Sequence, residues 1–286
     1  MSPAGNKTGQ AGLGIAAFEY GLPTQELLSR LQLLGVRQCE LVTPGDVTPA
    51  QVADVGAAFS TSGVRVTAVA SLTKLNSVDD PEPTLRMLDD SIECAGALKA
   101  PFVITYFGGH PERSPGAAVQ RFAEQIQPSI ERAASEGVTI LIENHFSGIG
   151  GDVTASVDGC RRLLETVASD HFALNLDACN FSIGGEDPVH AAAVLREHVR
   201  SVHVKDGRPL SAADSDYTGR TVEVNGERYR FVPVGEGITD NTAVMERLLE
   251  TSYSGPVTIE AHTPTPTLDD VFRQGMSLCR RVGITA

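Results

Sequence analysis

A chain of 286 residues, 41% hydrophobic and 21% charged, can bury a large core and has an ordinary globular composition. Its 36 acidic residues against 23 basic ones give a formal net charge of −13. No basic run interrupts that balance, so a phosphate backbone would be repelled and nucleic acid is not an expected partner.

The polar, Gly-rich start MSPAGNKTGQAG lacks the apolar run of a signal peptide, and residues 1–12 read as a flexible segment ahead of one domain over 13–286. No stretch reaches the ~20 apolar residues of a membrane helix, so no membrane partner is expected. The five cysteines (Cys39, Cys94, Cys160, Cys179, Cys279) are scattered, with no C-x-x-C pair. They fit free thiols in a reducing cytoplasm.

From there the chain alternates. Strands are expected at Leu13–Phe18, Val36–Val42, Val64–Ala70, Phe102–Tyr106, Val138–Glu143, Phe172–Asp177, Ser201–Lys205 and Val257–Glu260. Helical patterns lie between them, starting after Thr24, near Pro83, after Ser114-Pro115, and near Val153, Pro188, Asp240 and Leu268. Gly35 and Gly137 close the first and third, and Ser114 is an N-cap with Pro115 at the first helical position. Eight alternations without a composition break predict a single (β/α)8 barrel. An open doubly wound sheet would show a Gly-rich phosphate turn after an early strand, and none is present. After the seventh strand, TVEVNGERYRFV predicts a β-hairpin insertion turning at Asn225-Gly226, either a lid, a subunit contact or a plain surface insertion.

Four of the strand patterns end in a polar residue: VTILIE in Glu143, FALNLD in Asp177, PVTIE in Glu260, while SVHVKD carries His203. Strand side chains alternate faces. If Glu143 points into the barrel, Thr139, Leu141 and His145 share its side and Ile140 and Ile142 face the helices. The same parity puts Asn175 with Asp177, Ser201 and Lys205 with His203, and Thr258 and His262 with Glu260. Each outward set is apolar, as packing on helices requires, and each inward set turns polar toward the C-terminal end. Three carboxylates and one imidazole at neighbouring strand ends suit a hard or borderline divalent ion, Mn²⁺ first, with Mg²⁺, Co²⁺ or Zn²⁺ open.

These residues lie in IENH (142–145), LD-x-x-N (176–180), HVKD (203–206), GEG (235–237) and TIE (258–260), in barrel order. The set resembles the xylose isomerase-like TIM barrels, the sugar phosphate isomerase/epimerase superfamily. The resemblance implies that Glu143, Asp177, His203 and Glu260 are the metal ligands. It also implies that Glu143 and Glu260 shuttle a proton on opposite faces of a carbohydrate substrate. A metal chelating a carbonyl and its neighbouring hydroxyl acidifies the C–H between them and stabilises an enediolate. Asn180 stands where many members carry a histidine; it can hydrogen-bond a hydroxyl but not act as a base. Endonuclease IV needs a larger histidine set than the seven histidines here supply.

Beside the ligands, His145 is a candidate base, and His110, Asn144, Asn180, Lys205 and Arg208 are candidate substrate contacts. Glu19 and Glu40 could enter the same mouth, and Phe18, Tyr106 or Phe107 could floor a sugar. The expected function is a metal-dependent sugar isomerase or epimerase. The same site could drive elimination, as a keto-inositol-type dehydratase or a subunit cleaving 3-keto C- or O-glycosides, or the barrel could be a non-catalytic binding subunit. A homo-oligomer, or a partner subunit over the barrel mouth, is expected.

Overall fold

In the computed structural model, which describes residues 11–146, 150–264 and 267–285, the apolar runs become parallel strands of one closed barrel. They are β1 (Gly12–Ala16), β2 (Gln38–Thr43), β3 (Arg65–Lys74), β4 (Phe102–Tyr106), β5 (Thr139–Glu143), β6 (Phe172–Asp177) and β7 (Val199–Val204). After β7 come the short strands β8 (Asp206–Pro209), β9 (Thr221–Val224) and β10 (Glu227–Val232), and β11 (Pro256–Ile259) then completes the barrel. The order around it is β1-β11-β7-β6-β5-β4-β3-β2, and β8, β10 and β9 form a separate antiparallel sheet.

Helices α1 (Thr24–Leu34), α2 (Val52–Ser62), α3 (Glu82–Leu98), α4 (Pro115–Glu136), α5 (Val157–Val167), α6 (Ala178–Gly184), α7 (Pro188–Leu195), α8 (Asn241–Leu249) and α9 (Leu268–Arg281) connect the strands. Two of them, α2 and α6, carry no clear sequence signal. Residues 1–10 of the expected N-terminal segment lie outside the described residues, but Ala11 is buried and Gly12 already opens β1, pairing with Pro256. Ser114 precedes α4 with extended backbone, but its hydroxyl makes no capping hydrogen bond. Gly137 ends α4 at φ 70, a left-handed conformation that costs a residue with a Cβ.

The predicted parity holds. Ile140, Ile142, Leu174, Leu176, Val202, Val204, Val257 and Ile259 belong to the large core between strands and helices. Leu141 and Ala173 instead join Ala68, Ala70 and Ile104 in a small apolar plug inside the barrel. A one-residue slip would exchange these faces, turning a full set of aliphatic side chains onto a polar interior. Each buried Leu or Ile is worth about 1.5–3 kcal/mol, so the register is strongly held.

The hairpin forms as predicted, with Asn225 at φ 53 and Gly226 at φ 80, both positive as a two-residue turn of this hand requires. Its sheet folds back on its own barrel. Val224, Tyr229 and Phe231 pack with Phe146, Cys179 and Ile183 in a second apolar cluster. The hairpin's inner face is therefore occupied by this chain and forms a wall of the barrel mouth. Behind it, Asp206 accepts four backbone N–H groups, from Gly207, Gly235, Gly237 and Thr239, at 2.9–3.1 Å. That carboxylate ties the GEG loop to the end of β7; the Glu236 side chain is left on the surface with Gln274.

Candidate metal centre

Ligand atoms of Glu143, Asp177, His203 and Glu260 all lie within 4.8 Å of one another, and all four residues are buried. The strand register explains the convergence. Glu143 pairs with Asn175, Asp177 with His203, and His203 with Thr258, so the stagger of the closed sheet brings residues from four strand ends to one level.

Each candidate ligand is held by a neighbour. Asp177 caps α6 by accepting the Asn180 N–H on Oδ1 at 2.8 Å, which leaves Oδ2 facing the site. Asn180 Nδ2 donates to Glu143 Oε1 and Asn175 Nδ2 to Glu143 Oε2, both at 3.1 Å. Asn144 staples the two strands, its side chain bonding the backbone carbonyl and N–H of Asp177 at 2.9 and 2.8 Å. Asn144 and the Asn180 amide nitrogen thus hold candidate ligands in place, while Asn180 Oδ1 makes no hydrogen bond.

His203 Nε2 lies 3.0 Å from Glu40 Oε2. Its Nδ1 lies 3.3 Å from Glu143 Oε2 and 3.6 Å from Glu260 Oε2, with no hydrogen bond made to either. Lys205 Nζ is 2.7 Å from both Glu260 Oε2 and Asp177 Oδ2. Only the contact with Glu260 has hydrogen-bond alignment, so Asp177 Oδ2 is held by charge and accepts no hydrogen bond.

Charge decides how this set is to be read. Glu40, Glu143, Asp177 and Glu260 are at most 3% exposed, and burying a carboxylate costs several kcal/mol unless it is compensated. Lys205, His203 and His262 supply at most three positive charges against these four acids and Glu19. Two inward-facing ligand atoms, Asp177 Oδ2 and His203 Nδ1, also make no hydrogen bond. A divalent cation fits the deficit, and three oxygens with one imidazole nitrogen fit its chemistry. The acids respond to this crowding unequally. Burial pushes the Glu143 carboxyl up to about 8. Burial would also raise Glu260, but His262, Lys205 and His203 outweigh it and hold that carboxyl well below its usual range. His203 goes the other way: burial opposes its charge, yet Glu40 and Glu143 raise it well above 6.5.

His145 lies just beyond Glu143, edge-on to Tyr106 at 5.5 Å between ring centres. Its Nδ1 sits against the Phe146 carbonyl, an acceptor only, so the ring proton belongs on Nδ1 and Nε2 is free to accept. Burial, helped by Lys205, lowers its pKa to about 4.

Other expected contacts lie elsewhere. Arg208 is gripped by Asp214 at 2.6 and 2.8 Å, and Arg230 shares that carboxylate at 2.6 Å, so Arg208 does not offer a free guanidinium to substrate. His110 sits on the rim, its Nε2 3.4 Å from Asp79, and makes no contact with the four ligands. Phe107 cannot floor a sugar: it is fully buried against Phe122 in the outer core. Tyr106 stands at the site beside His145, and Phe18 packs on the plug inside the barrel. Cys179 is buried, with its thiol pushed well above 9, and is no nucleophile.

Sequence reasoning passed over His262 as a site residue. It follows Glu260 at φ 51, with Nδ1 2.7 Å from Glu19 Oε1 and Nε2 3.3 Å from Glu260 Oε1. Its strand parity was a usable signal. Phe231 was not foreseeable: its ring reaches from the hairpin to within 5.4 Å of Lys205 Nζ and 4.9 Å of the His262 ring.

Residues 16–282 match the family model of the xylose isomerase-like TIM barrel, and the chain belongs to that family. Among curated proteins it is similar to an inosose dehydratase of Lacticaseibacillus casei, 25% identical over 142 residues, 50% of this chain and 46% of that protein. It is also similar to a putative L-ribulose-5-phosphate 3-epimerase, SgbU, of Escherichia coli K12, 27% identical over 158 residues, 55% of this chain and 49% of the relative. The match thus spans about half the length of these curated relatives. Among solved structures, the IOLI protein with a bound zinc atom superposes with a TM-score of 0.77 at 16% identity, covering 95% of this chain and 97% of that one. No helix among the described residues is long and apolar enough to cross a membrane.

Proposed function

We propose that this protein is a divalent-metal-dependent isomerase or epimerase of a small sugar or sugar derivative, acting by proton transfer at the carbon next to a carbonyl. The observation that carries this reading is the convergence of Glu143, Asp177, His203 and Glu260, with two of their ligand atoms making no hydrogen bond. These four residues would hold the ion, and Mn²⁺ suits the mostly oxygen donor set. When bound, the ion polarises a carbonyl and stabilises the negative charge left by C–H removal.

The remaining work falls to side chains. Glu143 and Glu260 enter from β5 and from the end of β11, strands separated by β6 and β7. One takes the proton from one face of the substrate and the other returns it on the opposite face. Lys205, fixed between Asp177 and Glu260, adds a cationic donor beside the substrate oxygen. Phe231 and the hairpin behind it limit water at the mouth. Buried free thiols at all five cysteines fit a reducing cytoplasm.

A second reading, elimination by a lyase, is favoured by His145. Its ring is neutral and its free Nε2 would accept a proton or pass one to a departing hydroxyl or alkoxide. The similarity to an inosose dehydratase supports it as well.

Deuterium uptake in D₂O by the Mn²⁺-loaded protein tests both, with ketoses, keto-inositols and 3-keto-glycosides as substrates. Uptake with the carbon skeleton unchanged is the isomerase outcome, and loss of water or an aglycone is the lyase outcome. Glu143→Gln should stop both. Exchange at the wild-type rate in that variant would remove Glu143 as the base and sink the assignment.

A further inference from the structure

Arg220 stands immediately before β9, at the foot of the hairpin, where the hairpin meets His262. Its Nη1 lies 3.2 Å from His262 Nδ1 and 3.3 Å from Nε2, and its guanidinium carbon is 5.9 Å from the Phe231 ring centre. His262 in turn touches Glu260, so a single ring separates this guanidinium from the candidate metal ligands.

The other arginines of this insertion have partners. Arg208 and Arg230 share Asp214, and Arg228 reaches the Thr221 hydroxyl at 3.4 Å. Arg220 has no carboxylate within ion-pair distance among the described residues, although acids outnumber bases 36 to 23 in the chain. Being almost equally far from both ring nitrogens, it is not committed to either, and the residue is exposed, with the rest of its fork of N–H donors paired to no acid among the described residues. A planar fork of this kind is matched by a carboxylate or a phosphate, which can take two parallel hydrogen bonds.

We propose that Arg220 recognises an anionic group, carboxylate or phosphate, on the substrate, at the end remote from the reacting carbon. This rests on the carbohydrate reading above and narrows it to sugar acids or sugar phosphates. The placement makes chemical sense. Glu19, Glu40, Glu143, Asp177 and Glu260 make the interior of the site hostile to an anion, so a charged substituent is tolerated only at the rim. Arg220 takes the role expected of Arg208, whose guanidinium is held by Asp214. Lys74 is another exposed cation, at the end of β3, paired in register with Tyr106.

The test is calorimetric titration of the Mn²⁺-loaded protein with two matched pairs, D-glucuronate against D-glucose and D-ribulose 5-phosphate against D-ribulose. The charged member of at least one pair should bind at least about tenfold tighter, and which pair shows this separates carboxylate from phosphate. Arg220→Gln should erase the preference while leaving the neutral sugar's affinity unchanged. Arg220→Lys should keep part of it, and Lys74→Gln should keep all of it. Equal affinities within both pairs, no binding by any of the four, a preference undiminished in Arg220→Gln, or one lost only in Lys74→Gln overturns the proposal. Deuterium exchange measured on the same samples keeps the two readings apart. Exchange without a charge preference removes the anion contact and leaves the reaction standing; a charge preference without exchange does the reverse.

Discussion

His203 Nε2 lies 3.0 Å from Glu40 Oε2, and this contact between β7 and β2, across the barrel, turns Nδ1 toward the three carboxylates. A carboxylate behind a ligating histidine fixes the ring's orientation and raises its basicity; such partners are typically worth about 10–100-fold in metal affinity. Glu40→Gln should therefore weaken Mn²⁺ binding by roughly that factor while the fold persists, and His203→Asn should weaken it further. Titration followed by electron paramagnetic resonance of free Mn²⁺ reads both. An unchanged affinity in Glu40→Gln would mean that packing alone orients the ring.

Lys205 offers a different kind of test, because its ammonium neutralises two of the acids that would bind the ion. Removing one member of a buried ion pair leaves an uncompensated charge and typically costs about 3–5 kcal/mol. Lys205→Met should thus lower the melting temperature of the metal-free protein by several degrees, and added Mn²⁺ should restore more stability than it gives the wild type. Equal Mn²⁺-induced shifts in the two proteins would show that Lys205 and the ion do not share these carboxylates.

Much of this site was legible because strand parity is local. VTILIE, FALNLD and PVTIE each show an apolar face and a polar inward end within six residues, and that was enough to place Glu143, Asp177 and Glu260. What escaped depends on distant partners. Glu40 and His203 are 163 residues apart, and nothing in QCELVT says that its glutamate will meet an imidazole. Arg208 reads as a free cation until Asp214 is folded back onto it. Helix α6 has no 3.6-residue pattern in ACNFSIG; it exists because Asp177 caps it and Gly185 ends it at φ 89. Strand β3 runs on to Lys74 through the polar SLTK, where Thr73 and Thr105 share a buried hydrogen bond of 2.7 Å.

The GEG loop supplies a stability prediction. A Cβ built on Gly237 would collide with Asp206 Oδ1 and the Gly207 carbonyl. Gly237→Ala must push the loop off Asp206 and break contacts to a buried carboxylate, each bond to a charged group being worth about 1.5–3 kcal/mol. We expect a loss of at least about 2 kcal/mol in urea unfolding. Gly226→Ala, in open space but at φ 80, should cost about 1 kcal/mol from backbone strain alone. If the two variants prove equally mild, the Asp206 cradle does not hold the loop.

Asp46 gives a pH signature away from the metal centre. Burial pushes its carboxyl up to about 6, although the Val42 N–H, 3.0 Å from Oδ2, pulls the other way. A carboxyl whose pKa is higher in the folded state than the ordinary 3.8 keeps its proton longer in the native protein than in the unfolded chain. Stability therefore falls as pH rises from about 4 to about 6, and the cost persists in full above that range. Asp46→Asn retains an oxygen to accept the Val42 N–H and removes the charge. It should stabilise the protein by roughly 1–2 kcal/mol at pH 7.5, allowing for partial exposure of the site, and by almost nothing at pH 4. Urea unfolding of both proteins at the two pH values measures the difference. A gain of the same size at pH 4 would show that it comes from the amide's own contacts and not from the lost charge.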